Sequence, residues 1–469
     1  MTAIDKARAA SPLILKKAYR RVVSVIAPFE RRIDHGVYRD TRRLLEQTRY
    51  WSADRLHDYQ EKELDRLLAH CCKQIPYYRK LFGDLEIGSF HSDPFMALSK
   101  LPLMDKVTVR QHFDELVARN IPARLRHYET TGGTTDKPLA FFSEKGFSGP
   151  RELAFWHDSI CRTGYRVGET VAVLRNNTLP AGMISLYNPM RCQLILDPFK
   201  LRPDNVHLYI EALVKHGIRY LHAYPSCVST LIRFCAQRGL EICSTLTAIF
   251  AGSENVYPGQ REEAEKRFGG RYFSWYGHSE KLIHASECEY STSYHAFPEY
   301  GIVELIDSDG RSISEPGRRG EIVGTGFNNR VMPLLRYRTG DYAEWAPSSA
   351  CACGRNHPML VNVHGRWLQE LVYGRSGSRI SITSINTHSG LFDRVRNMQF
   401  VQHEKGKLTL NLIRGEGFSD QDGVMIRSEL NRILQDEMEI ELDYVDSIET
   451  TLRGKHRFLI QNCTDDEPV

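Results

Sequence analysis

Long apolar runs are absent from this sequence of 469 residues, and no stretch approaches the roughly eighteen apolar residues of a membrane-spanning helix. Near the amino terminus the apolar segment 13–15 is followed at once by Lys16 and Lys17, so we expect no secretory signal peptide. The chain also has no internal repeat and no low-complexity tract. With 41% hydrophobic and 26% charged residues, these absences exclude fibrous and wholly disordered proteins and favour a globular protein of the cytoplasm.

Paired cysteines are also lacking. The chain has 11 cysteines, an odd number, and most stand singly among apolar residues, as Cys161, Cys192 and Cys235 do. Isolated cysteines in odd number do not fit a disulfide framework, and we expect buried, reduced thiols.

Net positive charge is absent outside the amino-terminal arm, which we define as residues 1–43. The arm holds 11 Lys and Arg against 4 Asp and Glu, a net charge of +7, whereas the whole chain carries +4. The remaining 426 residues therefore carry −3, which argues against a nucleic-acid partner. Within the arm, residues 10–32 carry one apolar stripe. This pattern predicts a helix that packs on the body or, alternatively, one that contacts a membrane surface or a partner protein.

The order of the predicted elements indicates an α/β fold. Strands and helices alternate between residues 170 and 275, which predicts a parallel sheet covered by helices. Short strands separated by Gly and Pro after residue 300 predict an antiparallel subdomain, and residues 110–119 predict a helix. From about residue 366 a ββαβ succession is long enough for a small α+β domain. We expect a helical amino-terminal region with the basic arm, a large α/β domain, and a small carboxyl-terminal domain, at residues 1–94, 95–365 and 366–469.

The segment Tyr128–Leu139 (YETTGGTTDKPL) has the composition of a phosphate-binding loop. Adjacent glycines let backbone amides turn toward a ligand, threonine hydroxyls donate hydrogen bonds, and a lysine adds positive charge. It differs from the GxxxxGK[ST] loop, because no Ser or Thr follows the lysine and no strong strand is predicted before it. The alternative is a Thr/Gly surface loop. The candidate ligand-binding residues are Thr131, Gly132, Gly133, Thr134, Thr135 and Lys137.

Four further motifs carry chemistry. Trp275–Glu280 (WYGHSE) directly follows a predicted buried strand, where parallel sheets bind ligands; Tyr276 offers a flat face to a base, and Glu280 a hard oxygen to a divalent cation. The others are Tyr337–Asp341 (YRTGD), Gly365–Arg366, and Arg453–Lys455 (RGK). Each of them alone also fits an ordinary turn or a solvated charge.

Taken in order, the five motifs resemble the adenylate-forming superfamily of acyl-CoA synthetases, nonribosomal adenylation domains and luciferases. The likeness is greatest to the phenylacetate–CoA ligase family and its capsular-polysaccharide-biosynthesis branch. It includes Leu101–Lys106, Tyr224–Ser226 and Gly252–Glu254 and covers roughly residues 95–460.

The resemblance implies an AMP-forming ligase that uses ATP and Mg²⁺ to activate a small carboxylic acid as acyl-AMP, which is then transferred to CoA or another carrier. It places the adenine-stacking aromatic at Tyr276, the magnesium-associated acid at Glu280, the ribose-binding acid at Asp341 and the mobile catalytic lysine at Lys455. The other nucleotide-binding positions that we expect are the loop Thr131–Pro138 and Ser253, Glu254, Gly277, Ser279 and Arg366.

Three positions depart from the family pattern. Asp136 stands where the phosphate loop usually has glycine, and Ser279 replaces a threonine but keeps its hydroxyl. Leu368 occupies the position of the usual hinge aspartate, so the domain rotation and the thioester step have less support than adenylation. Two alternatives therefore stay open: an adenylyltransferase that leaves AMP on a hydroxyl, and a non-catalytic nucleotide-binding scaffold.

The sequence also contains a candidate metal site. Cys288 and His295 precede Cys351 and Cys353, and three thiolates with one imidazole make a closed tetrahedral set for zinc. The resemblance implies a structural zinc at this place. The alternatives are unpaired buried cysteines, or a set in which His284 or His357 supplies the nitrogen.

The acyl pocket is predicted from the ends of the strands, because ligands bind at the carboxyl edge of a parallel sheet. The mixture of Tyr, Trp and His favours a polar or aromatic acid over a long acyl chain. The predicted lining residues are Tyr224, Ser226, Ala251, Trp275 and His278.

Overall fold

The computed structural model describes residues 35–87, 90–131, 139–189, 191–242, 245–365, 371–385, 391–392, 394–448 and 459–463. The helix predicted over residues 10–32 and most of the basic arm lie outside these ranges. No helix within them is long and apolar enough to cross a membrane.

Helices dominate the amino-terminal part. They are α1 (His35–Thr48), α2 (Ala53–Gln74), α3 (Pro76–Asp84), α4 (Pro94–Lys100) and α5 (Lys106–Gln111). Leu64, Leu68 and Cys71 of α2 are fully buried, in the same core as Leu360. The helices on both sides of residue 94 thus share a core with the later strands, and the boundary predicted there stays a prediction.

The helix predicted over Arg110–Arg119 is wrong, since α5 ends at Gln111. The following residues turn inward: Leu116 and Ala118 are fully buried, and the Ala118 N–H donates to the carbonyl of Val331 at 2.8 Å. This bond to a distant segment satisfies an N–H that a continued helix would pair four residues back.

The expectation that no strong strand precedes the threonine- and glycine-rich loop is also wrong. β1 (Arg126–Thr130) and β2 (Ala140–Glu144) form an antiparallel hairpin around it. β1 has mostly exposed or half-buried polar residues, so it lacks the apolar run by which a buried strand is recognised.

A twelve-stranded sheet forms the centre of the described chain. The strands β3 (Val171–Leu174), β5 (Gln193–Leu196), β6 (Tyr220–Ala223), β7 (Ala248–Ala251) and β8 (Arg271–Gly277) are parallel, in the order β8-β7-β6-β3-β5. β4 (Ser185–Asn188) pairs antiparallel at the edge. The helices of this part are α6 (Ser148–Cys161), α7 (Val206–Lys215), α8 (Pro225–Gln237) and α9 (Gln260–Phe268). The predicted parallel sheet is confirmed.

The sheet continues beyond β8 as an antiparallel region, as predicted. Its strands are β9 (His284–Ser286), β10 (Tyr294–Ala296), β11 (Gly301–Ile306), β12 (Arg319–Gly326), β13 (Tyr337–Trp345) and β14 (Met359–His364). β13 carries the YRTGD motif, and its Asp341 accepts a hydrogen bond from Tyr276 near the end of β8.

The carboxyl-terminal part has its own sheet, in the order β19-β18-β17-β20, and an apolar core to which Phe199 of the large sheet region also contributes. Its elements are β15 (Leu371–Tyr373), β16 (Arg379–Ser381), α10 (Ile382–Ile385), β17 (Val395–Gln402), β18 (Lys407–Arg414), α11 (Asp420–Leu434), β19 (Glu439–Tyr444) and β20 (Leu459–Gln461). This is the small α+β unit that the sequence predicts.

A buried carboxylate joins this part to the large sheet region. Glu437 is 2% exposed, and its Oε1 lies 2.7 Å from the Nε of Arg202. Its Oε2 accepts hydrogen bonds from the hydroxyls of Ser376 and Ser378. Because the carboxylate is buried away from water, these donors offset the free-energy cost of burying its negative charge.

We expect Glu437→Ala to lower the free energy of unfolding by about 3 kcal/mol, because the substitution leaves Arg202 and two hydroxyls without their acceptor. Urea denaturation measures the change. The matched control is Glu439→Ala, which removes an exposed pair with Arg375 and is expected to cost less than about 1 kcal/mol. Equal losses of unfolding free energy in the two variants would contradict the stabilising role that we assign to Glu437.

Candidate functional site

A cavity of about 620 Å³ opens at the carboxyl ends of β3, β6, β7 and β8. Parallel strands bring their carboxyl ends to one edge, so side chains that are far apart in sequence meet there. The predicted residues that line it are Thr131, Tyr224, Ser253, Glu254, Trp275, Tyr276, Gly277, His278, Ser279, Glu280 and Asp341.

Tyr276, at the end of β8, is fixed by Asp341 of β13. The Tyr276 hydroxyl donates to Asp341 Oδ2 at 2.8 Å, and both residues are buried. Burial, together with the charge of Asp341, raises the pKa of Tyr276 well above its ordinary value, so the phenol keeps its proton. The bond places an aromatic ring and a carboxylate side by side at one end of the cavity.

Glu280 lies three residues beyond β8 and is 6% exposed. Its Oε1 accepts a hydrogen bond from the Tyr337 hydroxyl at 3.0 Å, which orients the carboxylate. The next residue, Lys281, has a φ of 59° and places its Nζ 2.6 Å from Glu129 Oε2 on β1. A carboxylate at the cavity wall supplies the hard oxygen that a divalent cation prefers.

The threonine- and glycine-rich loop is closed at its base. The Thr131 N–H donates to the Leu139 carbonyl, and the Leu139 N–H donates to Thr131 Oγ1, each at 2.9 Å. Thr131 is buried and lines the cavity, so the loop starts there. The other residues predicted in it, and two predicted cations, lie outside the described residues; they are Gly132, Gly133, Thr134, Thr135, Lys137, Arg366 and Lys455.

Two of the predicted acyl-pocket residues do not line the cavity. Ser226 lies in the first turn of α8, where its N–H and hydroxyl both donate to the Glu254 carboxylate at 2.9 Å. Ala251 is the last residue of β7 and is fully buried in the apolar core. The end of a strand predicts position along the sheet but not which face a side chain occupies. Tyr224, Trp275 and His278 do line the cavity.

The cavity residues that prediction from the sequence missed include Glu152 and Trp156 on α6, Arg175 after β3, and His222 on β6. The rule that identified Trp275 would also have found Arg175, because it directly follows the last residue of β3. Glu152 and Trp156 lie on α6, which precedes the parallel strands, so no strand end marks them in the sequence.

The predicted metal ligands converge. Donor atoms of Cys288, His295, Cys351 and Cys353 all lie within 4.8 Å of one another, with the sulfurs of Cys288 and Cys351 3.5 Å apart. Burial raises the pKa of Cys288 to about 12, whereas for Cys353 hydrogen bonds from Arg355 outweigh burial and lower the pKa. Three thiols and an imidazole in this arrangement fit a tetrahedral metal centre.

Comparison with known proteins gives consistent results. Residues 372–462 match the CapK C-terminal domain. The chain is 21% identical to Protein CapK of Staphylococcus aureus over 96% of this chain and 98% of that protein. It is 24% identical to phenylacetate-coenzyme A ligase of Thermus thermophilus over 67% of this chain and 71% of that enzyme.

The sequence is thus similar to those of CapK and the phenylacetate–CoA ligases. A solved structure of 2-hydroxyisobutyryl-CoA ligase, in complex with 2-HIB-AMP and CoA, matches with a TM-score of 0.57 and 18% identity. The alignment covers 89% of this chain and 92% of that one. The expected adenylate-forming fold and the family resemblance are both confirmed.

One wall of the cavity depends on a glycine. A Cβ atom at Gly252 would lie 2.7–2.9 Å from carbons of the Trp275 indole ring, which is closer than real contacts allow. Glycine at this position therefore lets the ring lie flat against the backbone.

We expect Gly252→Ala to displace Trp275, to change the tryptophan fluorescence and to lower the free energy of unfolding by about 1–3 kcal/mol through overpacking. The control is Gly149→Ala, also at the cavity, where a Cβ meets nothing within 4 Å. Unchanged fluorescence and stability in Gly252→Ala would refute the steric argument.

Proposed function

We propose that this protein is an ATP-dependent enzyme that activates a small carboxylic acid as acyl-AMP and transfers the acyl group to CoA or another thiol. One observation carries the proposal: Tyr276, Glu280 and Asp341, which belong to two separate motifs, meet with Thr131 in one cavity. A chance arrangement of turn residues would not bring the four together.

Each described residue has a role that fits its contacts. The ring of Tyr276, held by Asp341, stacks on adenine, and the Asp341 carboxylate accepts from ribose hydroxyls. Thr131 at the base of the loop leads the chain toward the triphosphate. Glu280, oriented by Tyr337, would hold Mg²⁺. The resemblance assigns the remaining phosphate contacts to Lys137 and Arg366.

The reaction joins two anions. A carboxylate oxygen of the acid attacks the α-phosphorus, the bond to the bridging oxygen breaks, and pyrophosphate leaves with the electron pair. When bound, Mg²⁺ would neutralise charge on the phosphate oxygens. Lys455 would contact the acid carboxylate and the α-phosphate, which lowers the repulsion between them.

In the second half-reaction a thiolate attacks the acyl carbon and AMP leaves, so a thioester replaces the mixed anhydride. In the adenylate-forming family the small domain rotates between the two steps, which removes the lysine. We propose residues 366–469 as that domain. Leu368 stands at the usual hinge aspartate, so the adenylation step has the stronger support.

We expect ATP–pyrophosphate exchange in the presence of one or more members of a panel of small aromatic and polar acids. Lys455→Ala should lower the exchange rate by at least about 100-fold, because one transition-state cation is lost. Lys407→Ala, which removes a cation from an exposed pair with Glu404 on β18, should leave the rate unchanged.

Other outcomes would select the alternatives. A stable AMP adduct on a hydroxyl, formed without consumption of CoA, would indicate an adenylyltransferase. Binding of ATP in calorimetry without exchange for any acid would indicate a non-catalytic scaffold. Full activity in Lys455→Ala would refute the proposed mechanism.

We also propose that Cys288, His295, Cys351 and Cys353 hold a structural zinc ion. Four protein ligands leave no position for water, so the ion would stabilise the fold and take no part in catalysis. The Arg355 guanidinium, which donates to Cys353 and pairs with Glu289 at 2.6 Å, supports an anionic thiolate set.

Elemental analysis of the purified protein should give about one zinc ion per chain. Cys353→Ser should lose the metal and lower the melting temperature by several degrees, because the folded state then lacks a bound ion that stabilises it. Cys72→Ser, a half-buried thiol on α2, should keep both the metal and the melting temperature. Metal retained by Cys353→Ser would overturn the assignment.

A further inference from the structure

Arg175 places a guanidinium at the cavity wall, one residue beyond the end of β3. Its Nη1 lies 2.7 Å from His222 Nε2, and its Nη2 donates to Ser253 Oγ at 2.7 Å. The guanidinium carbon also lies 4.4 Å from the centroid of the Tyr224 ring. Contacts on three sides fix the orientation of the group.

The partners of Arg175 are neutral. Burial and the neighbouring guanidinium lower the pKa of His222 well below its ordinary value, so the imidazole accepts from Arg175 and does not compete as a cation. Among the residues that the structure describes, no carboxylate lies within 4.0 Å of the Arg175 nitrogens. The positive charge at this wall is therefore uncompensated by the described chain.

Arg175 also has N–H groups that are not bonded to the described chain. A guanidinium has five N–H groups. His222 and Ser253 accept from two of them, and the Tyr224 hydroxyl is also hydrogen-bonded to Arg175. The Arg175 Nε is buried and has no hydrogen-bond partner in the described chain. At least one Nη N–H is therefore left for a ligand such as a carboxylate.

Position separates Arg175 from the proposed adenine site. In the sheet order β8-β7-β6-β3, three strand spacings separate β3 from β8, which is about 14 Å. Tyr276 and Asp341 lie at the β8 side. Arg175 therefore enters the cavity from the β3 side, and its guanidinium reaches as far as Ser253 after β7, beside the wall along which the body of the acid would extend.

Aromatic rings line the same part of the cavity. The His222 ring lies 5.2 Å from that of Trp156 and 5.3 Å from that of Trp275, and the two indole rings are 6.4 Å apart. This wall suits a short apolar or planar spacer.

The two acidic side chains on this side of the cavity, Glu152 and Glu254, already accept hydrogen bonds from other protein groups. Glu152 accepts a hydrogen bond from the Tyr300 hydroxyl, and burial raises its pKa. Glu254 accepts both the N–H and the hydroxyl of Ser226. Neither of them pairs with Arg175, so the charge that complements Arg175 would come from the ligand.

We propose that the acid activated by this protein is a dicarboxylic acid, whose second carboxylate pairs with the Arg175 guanidinium through a charge-assisted hydrogen bond while the first lies at the nucleotide. Arg175 is then a specificity-determining residue. The inference rests on the proposed adenylation, and it adds the class of substrate.

The test compares matched acids in ATP–pyrophosphate exchange: 4-carboxyphenylacetate against phenylacetate, and glutarate against monomethyl glutarate. The wild type should prefer the diacid of at least one pair. Arg175→Met should raise the KM for that diacid by about 10- to 100-fold, the worth of a charged hydrogen-bonded pair. The KM values for ATP and the monoacid should not change.

Two further variants separate charge from structure. Arg175→Lys keeps the charge without the fork and should recover part of the diacid affinity, which a purely structural role would not predict. Arg191→Met removes an exposed arginine from the turn between β4 and β5 and should behave as wild type. Melting temperatures of all variants check that they are folded.

A wild-type preference for both monoacids, or an equal rise of KM for all acids in Arg175→Met, would overturn the inference and leave the proposed function standing. A rise confined to the KM for ATP would reassign Arg175 to the nucleotide. If no acid supports ATP–pyrophosphate exchange, the proposed function fails. In that case, calorimetric titration of 4-carboxyphenylacetate into the wild type and into Arg175→Met still tests whether Arg175 binds a carboxylate. Equal affinities there would also overturn the inference.

Discussion

The hydrogen-bonded register of the parallel strands β3, β6, β7 and β8 is the constraint on which the rest of the molecule depends. Because these strands run in one direction and pair residue by residue, their carboxyl ends form a single edge, and the segments that leave them meet in one cavity. The antiparallel strands continue the same sheet, and although β14, β10 and β9 stand between β13 and β8 in the strand order, Asp341 of β13 reaches Tyr276 of β8. A break in this register would separate the aromatic ring from the two carboxylates.

Electrostatics within the cavity follow from this arrangement. The buried acids are each held by a neutral hydroxyl: Asp341 by Tyr276 and Glu280 by Tyr337. These hydrogen bonds orient the two carboxylates at the cavity wall. The guanidinium of Arg175 enters the same cavity from the end of β3 and bonds to His222 and Ser253. The cavity wall therefore carries charged groups of both signs.

The sequence predicted the strands of the sheet well where they were apolar. Ala248–Ala251 is buried along its whole length, and such a run has few alternatives. Prediction failed where the local residue pattern favours one structure and contacts with distant segments of the chain impose another. Leu116 and Ala118 fit a helix, but the core and Val331 draw them into turns. Arg126–Thr130 shows no strand pattern, yet it pairs with β2 because the hairpin closes the base of the loop.

By itself the sequence determined the fold class, the order of motifs, the three cysteines and one histidine that converge and 11 of the residues around the cavity, because strand ends and glycine-rich segments have local signatures. Only the tertiary structure decided which of those side chains share the cavity. It turned Ser226 toward Glu254 and Ala251 into the core, and it added Trp156 from a helix and Arg175 from a strand end. The reason is physical: periodicity fixes the place of a residue along an element, whereas the face it occupies and the partner it finds depend on the packing of elements distant in the chain.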